Sequence, residues 1–147
     1  MRSRDARQLL EELSKTYDKV TAEKVEVAEF EDKKIYILED NFEFIEDENG
    51  VYPYLGGKYL EQLPSVIVDM GAIPFVCNGA DIMAPGIVET SQFNKGSIIV
   101  VRDINHNKAL AVGVSLKSSQ EIESSQRGKV IENIHYVGDK IWENVSI

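Results

Sequence analysis

Side chains able to do covalent chemistry are few in this chain of 147 residues: one cysteine, Cys77, and two histidines, His106 and His135. A single cysteine excludes an intramolecular disulfide and any multi-cysteine zinc site. Cys77 lies in an apolar helical pattern, where a thiol behaves as a small buried hydrophobe. The histidines have no clustered carboxylate or cysteine partner in sequence and so make no zinc signature. There is no Gly-x-x-x-x-Gly-Lys-Ser/Thr phosphate loop and no Gly-x-Ser-x-Gly nucleophile turn. Asp69, Asp81 and Asp103 remain as candidates for acid–base work, but carboxylates alone point to no reaction. The expectation is a protein without enzyme activity, metal or cofactor. What the residue types do suit is close approach of a nucleic-acid backbone. Gly71, at the start of an expected helix, would let a phosphate reach free amides with no Cβ in the way. Gly79 and Ala80, at its end, would let a nucleotide reach a strand edge.

Those glycines sit in one densely specified run, residues 68–87. Asp69 is the expected N-cap, its carboxylate accepting from the free amides of the first turn. Pro74 falls in that first turn, where a missing N–H costs least. Ala72, Phe75 and Val76 share a face at helical spacing, and Gly79 stops the helix in the left-handed conformation. Residues 80–83 should be extended. Residues 84–87 have the spacing of a type II turn, with Pro85 second and Gly86 third.

Before this run, residues 4–17 read as a helix, with Ala6, Leu9, Leu10, Leu13 and Tyr17 at spacings of three and four. Its basic start, Arg2, Arg4 and Arg7, opposes the helix dipole; it is either a patch facing RNA or the ribosome, or a solvated helix end. Strands follow around Val25–Phe30, at residues 35–38 and at residues 42–45, with residues 32–34 as the first connection. Asn49-Gly50 is a hairpin signal, since the pair accepts positive φ at both central positions. Pro53 marks the return strand as an edge or marks its end, and Tyr59, Leu60 and Leu63 suit a short helix. The acidic stretch 39–48 lacks calcium-loop spacing and reads as a solvated hairpin face. The sum is a small α+β unit, residues 1–63, joined at Leu63-Pro64-Ser65 to a second domain, residues 64–147.

In that second domain residues 98–101 form a buried strand, and residues 108–116 alternate Leu110, Val112, Val114 and Leu116 against Ala111, Gly113 and Ser115. A face of only Ala, Gly and Ser implies close approach, most simply by the central helix. Ser118 and Glu121 have capping-box spacing ahead of a short helix. Residues 129–131, 135–137 and 140–142 read as the last strands, with Gly138-Asp139 as a turn. Many short strands with two short helices fit a closed or nearly closed barrel.

The run from Val68 to Ile87, followed by residues 108–113, Gly128-Lys129 and residues 134–143, resembles the PUA domain, the RNA-binding module named after pseudouridine synthase and archaeosine transglycosylase. With the N-terminal unit, the whole chain resembles the malignant-T-cell-amplified-sequence/ligatin type of PUA protein. The resemblance implies a mainly-β PUA pseudo-barrel behind an α+β unit, and a non-catalytic factor of translation initiation or recycling. It implies contact with the acceptor end of tRNA or with rRNA on the small ribosomal subunit, beside a separate initiation-factor-like partner. The RNA-contact residues it implies are Gly71, Ala72, Asn78, Gly79, Ala80, Asp81, Met83, Ala84 and Pro85, joined by Lys129, His135 and Tyr136. Phe75, Val76, Ile82 and Trp142 read as core, and Gly86 as needed by the turn. Met83 is open between core and surface. His135 and Tyr136 alternate, so one faces inward, and the sequence does not say which. An alternative is an accessory module of a pseudouridine synthase or transglycosylase system. A third reading is a protein-interaction module whose acidic half binds a basic partner.

The charge balance fits a weak binder of RNA. The net charge is −9, and residues 1–63 hold 16 acidic and 9 basic side chains against 9 and 7 in residues 64–147. The acidity is thus concentrated outside the presumed RNA module. Without a dense basic patch few phosphates are neutralised, so affinity should be modest and only shallowly salt-dependent. No apolar run approaches the roughly 20 residues needed to cross a bilayer, and Asp5 and Glu11 interrupt any signal-peptide core, so cytoplasmic residence without membrane contact is expected.

Overall fold

A computed structural model describes residues 1–145; the last two residues, which the expected second domain includes, lie outside them. The chain divides into two compact units, Met1–Gln62 and a second beginning at Leu63.

In the first unit helix α1 (Ser3–Ser14) precedes an antiparallel meander of β1 (Val25–Phe30), β2 (Lys33–Leu38), β3 (Asn41–Asp47) and β4 (Gly50–Pro53). The helix stops short of the expected end because the Ser14 hydroxyl and the Thr16 and Tyr17 amides take up its last carbonyls, yet Leu13 and Tyr17 are still buried. The Tyr17 and Tyr59 rings flank Phe44, with centroids 5.5 and 5.0 Å away. Pro53 lies on an edge strand, where its missing donor breaks no ladder. The turns differ from expectation. Only Gly50 has positive φ in the Asn49-Gly50 turn, because the Asn49 amide donates to Asp47 Oδ1 at 2.8 Å. The turn with positive φ at both central residues is Glu39-Asp40 (52° and 65°). There the Glu39 carboxylate accepts the Glu23 and Lys24 amides at 2.7 and 2.6 Å and holds the turn without glycine. The first connection is Glu31-Asp32, so Lys33 and Lys34 belong to β2.

The second unit contains β5 (Ser65–Val68), β6 (Ile82–Met83), β7 (Ile87–Thr90), β8 (Ile98–Asp103), β9 (Ala109–Ser115) and β10 (Lys129–Tyr136). They form one sheet in the order β6-β10-β9-β8-β5-β7, with only β5 and β8 parallel. The edge strands β6 and β7 are consecutive in the chain, joined by a single 3-10 turn, Ala84–Gly86. From Met83 to Ile87 the backbone reaches at most about 15 Å, whereas six flat strands span about 24 Å. The sheet must therefore curl until its edges meet, giving the PUA pseudo-barrel. The turn is pinned on both sides, Ala84 N–H to Gly128 O at 2.8 Å and Asp69 N–H to Gly86 O at 2.9 Å. Val66, Val68, Ile99, Val101, Ala111, Val130 and Ile131 fill the interior at 0% exposure.

Three local expectations are corrected here. Residues 84–87 are not a type II turn, since Gly86 lacks the positive φ such a turn requires. A Cβ on Gly86 would stand 3.3 Å from Ala72 Cβ, so glycine serves packing there. The small-residue face of β9 meets the central helix (Ile73–Val76) at Ala111, which shares a core cluster with Val76, but at Gly113 the close approach comes from β10, whose Glu132 carbonyl oxygen would lie 2.8 Å from an added Cβ. Residues 140–142 are not a strand but the start of helix α4 (Lys140–Val145). The capping box on helix α3 (Ser119–Ser124) forms as expected, with Ser118 and Glu121 bonding each other's amides at 3.2 and 3.1 Å.

Asp139 is the cause of the third correction. Its Oδ1 accepts the Trp142 amide at 2.8 Å and starts α4; its Oδ2 accepts the Tyr136 amide at 2.9 Å and lies 2.7 Å from His135 Nδ1. Trp142 is consequently half-buried rather than core. Burial pushes the Asp139 carboxyl up, but the His135 ring and the two amides outweigh it and hold it below the ordinary carboxylate range. A carboxyl depressed on folding contributes stability above its unfolded value, about pH 4, and loses it as pH falls through the folded value. Asp139→Asn should therefore destabilise by about 1–2 kcal/mol at pH 7. In denaturant titrations from pH 7 to pH 3 its gap from the parent should close below about pH 4; a constant gap would contradict this.

Candidate nucleic-acid interface

Where β5 ends, the chain makes a short 3-10 turn (Met70–Ala72) and helix α2 (Ile73–Val76). Asp69 caps this start, its carboxylate accepting the Ala72 amide at 3.1 Å. Pro74 lies in the first turn as the sequence implies. Gly79 closes the helix at φ +90°, with its amide on Val76 O at 3.1 Å and the Ala80 amide on Phe75 O at 3.0 Å, the two bonds of a Schellman end. A single turn buries only one direction. Val76 is buried, with Ala72, Ile73 and Cys77 packed around it against the barrel core. At 100° per residue Phe75 points about 130° away from the centre of that face, and it is 67% exposed. Setting Phe75 aside as core is thus overturned.

Between α2 and β6 lies a pocket of about 660 Å³. Gly71, Ala72, Ala80, Asp81, Met83, Pro85 and Lys129 line it, together with Asp69, Phe75, Val76, Ile82 and Gly86. Met83 resolves outward, at 49% exposure. The other nominated residues are elsewhere. Ala84 is buried as the first residue of the 3-10 turn, and Asn78 is exposed outside the pocket. His135 faces the interior at 1% exposure, committed to Asp139, so it is not available at the surface. Tyr136 is the half-buried member of that pair; its ring lies against Gly79, where an added Cβ would meet it at 3.0 Å. Gly79 and Tyr136 therefore support the helix end from behind.

The pocket's chemistry is mainly apolar. Phe75, Met83 and Pro85 offer exposed faces at its rim, and Lys129, 3.4 Å from Asp81, supplies its only cation among the described residues. The Ala72 amide is taken by Asp69, so the helix start has less to offer a phosphate than its sequence suggests. Such a site suits an unstacked base, held by aromatic and apolar contact with carboxylates nearby to accept from N–H groups. Among the described residues no three His, Cys, Asp or Glu side chains assemble as a metal site, and no helix is long and apolar enough to cross a membrane.

Asn133 was not foreseen. Its backbone amide donates to Asp81 Oδ1 at 2.9 Å, and its side-chain amide donates to Val76 O and Ala80 O, both at 3.1 Å. It stands at the irregularity in the pairing of β10 with β9, between Asn133 and His135. An asparagine in a strand pattern was the available signal, since that residue type is depleted in regular strands.

Two family models match the chain, the PUA domain over residues 64–137 and a domain of unknown function (DUF1947) over residues 1–62. An uncharacterized protein of Methanocaldococcus jannaschii is 40% identical over 122 residues, 80% of this chain and 75% of that one. Translation machinery-associated protein 20 of Saccharomyces cerevisiae is 35% identical over 128 residues, covering 80% and 71%. Malignant T-cell-amplified sequence 1 of Rattus norvegicus is 40% identical over 107 residues, covering 67% and 58%. Among solved structures, a hypothetical protein of Pyrococcus horikoshii superposes with a TM-score of 0.84 at 30% identity, over 98% of this chain and 96% of that one. A conserved PUA domain protein of Thermoplasma acidophilum follows at 0.78 and 27%, with the same coverage. A likeness of fold alone extends to an H/ACA ribonucleoprotein bound to a substrate RNA, with a TM-score of 0.53 at 23% identity over 63% of this chain and 29% of that one.

Asn133→Ala strips Val76 O and Ala80 O of their donor without touching the barrel core. It should cost about 1–2 kcal/mol, seen as a lower denaturant midpoint with an unchanged m-value. Unchanged stability would mean that the two carbonyls find other partners.

Proposed function

This chain belongs to the PUA-domain family of the Malignant T-cell-amplified sequence and Translation machinery-associated 20 proteins, and we propose that it is a non-catalytic, cytoplasmic RNA-binding factor of translation initiation or recycling. The observation that carries the reading is the apolar pocket beside α2, with a phenylalanine left 67% exposed at its rim. Stacking of an unpaired base on an aromatic ring contributes about 1–3 kcal/mol, and it needs no basic patch, in keeping with the near-neutral charge of residues 64–147. The ligand is then an unpaired RNA end or loop: the acceptor end of tRNA, or unpaired nucleotides of small-subunit rRNA. A separate initiation-factor-like protein would complete the assembly; the name of the yeast relative supports association with the translation machinery.

The test is binding to full-length tRNA and to tRNA trimmed of its single-stranded 3′ end. The intact molecule should bind more tightly. Phe75→Ala should weaken that binding about 10-fold or more, in line with the loss of one stacked base. Gly71→Glu should abolish it through charge while leaving the fold intact, since only Asp69 Oδ1, at 3.5 Å, lies near an added Cβ. Equal binding of both RNAs, unaffected by either substitution, would contradict acceptor-end recognition. Co-purification with a pseudouridine synthase or transglycosylase, in place of ribosomal subunits, would favour an accessory role in RNA modification.

A further inference from the structure

Outside the pocket, the strongest unexplained feature is at the start of α1. The first unit is acidic, and three of its six lysines are in ion pairs: Lys15 with Glu12 at 3.0 Å, Lys24 with Asp40 at 2.7 Å and Lys33 with Asp47 at 2.6 Å. The three arginines at the start of α1, Arg2, Arg4 and Arg7, are not. All three are exposed, and among the described residues none has an ion-pair partner. Arg2 holds the N-cap position without a capping bond, and Asp5 is the one acidic residue of the first turn. Guanidinium groups there oppose the helix dipole, and Arg7 precedes Glu11 by four residues, the less favourable order for a helical pair. The local chemistry therefore works against helix stability and gains nothing visible within the fold.

We propose that Arg4 and Arg7 form a second RNA-contact site, which grips backbone phosphates independently of the pocket. The proposal rests on the reading of this protein as RNA-binding but uses none of the pocket residues. At 100° per residue Arg4 and Arg7 stand about 60° apart on the face opposite Leu13, which is the buried residue of the helix. Their forks are thus presented side by side to solvent. Arginine binds phosphate oxygens through paired N–H bonds, a geometry that lysine does not match. The surrounding unit, with 16 acidic side chains in residues 1–63, repels RNA elsewhere, so contact is restricted to this tip and gains an orientation.

The test is Arg4→Gln with Arg7→Gln in the full chain, titrated with intact and trimmed tRNA across a salt series. Each phosphate contact contributes roughly 0.7–0.9 to the slope of log K against log salt. The double variant should therefore show a slope shallower by about 1.4–1.8 and an affinity about tenfold lower at low salt. Its preference for intact over trimmed tRNA should be unchanged, and its melting temperature should rise, because the unfavourable charges are gone. A higher melting temperature with unchanged affinity and slope would identify a plain solvated helix end and overturn the proposal. Weaker binding with an unchanged slope would overturn it too, as would absence of any tRNA binding by the parent protein. If instead trimming has no effect on the parent while the slope still falls in the variant, the pocket reading fails and the arginine site stands.

Discussion

Asn133 joins three segments that the sequence keeps far apart: the last long strand, the end of α2 and the start of β6. One residue supplies the backbone donor for Asp81 and the side-chain donors for Val76 and Ala80. The pocket exists because those segments are held at a fixed separation while the curled sheet closes behind them. That curl is itself forced by a short connection, the 3-10 turn between the two edge strands. Gly86 lets the turn pack on Ala72, and Gly79 lets the helix end sit on Tyr136. The site is thus a consequence of backbone closure more than of any reactive side chain.

Energetically the site departs from what folding alone would select. Burying a phenylalanine is worth about 1.5–3 kcal/mol, and Phe75 forgoes most of that at 67% exposure. Met70 and Met83 are left about half exposed on the same run, at 50% and 49%. Phe75 and Met83 both line one concave site, and apolar exposure gathered in a concavity is the mark of a binding surface. On the proposed reading, base contact at the pocket would take the place of phosphate neutralisation, which reconciles RNA binding with a net charge of −9.

Much of this was legible in the residues. Asp69 as cap, Pro74 in the first turn, Gly79 as helix stop and the Ser118–Glu121 capping box all act through bonds local in sequence, and all formed as read. The misreadings share a physical origin in tertiary contact. Asp139 makes a helix of residues that alternate like a strand, because its cap is completed by His135 and Tyr136 from the preceding strand. Gly86 satisfies the pattern of a type II turn yet is set by the proximity of Ala72. Phe75 and Val76 both have helical spacing from Ala72, but a helix of one turn has no second turn to fix which side is buried. Asn133 acts over a separation of more than 50 residues, which no local pattern reports.

The most direct measurement of the central claim is methyl NMR of Met83, which lines the pocket at 49% exposure. Titration with a short single-stranded RNA carrying the tRNA 3′-terminal nucleotides should shift the Met83 methyl resonance, saturating at the concentrations that saturate binding. RNA binding that leaves Met83 unmoved would place the ligand elsewhere and contradict the account.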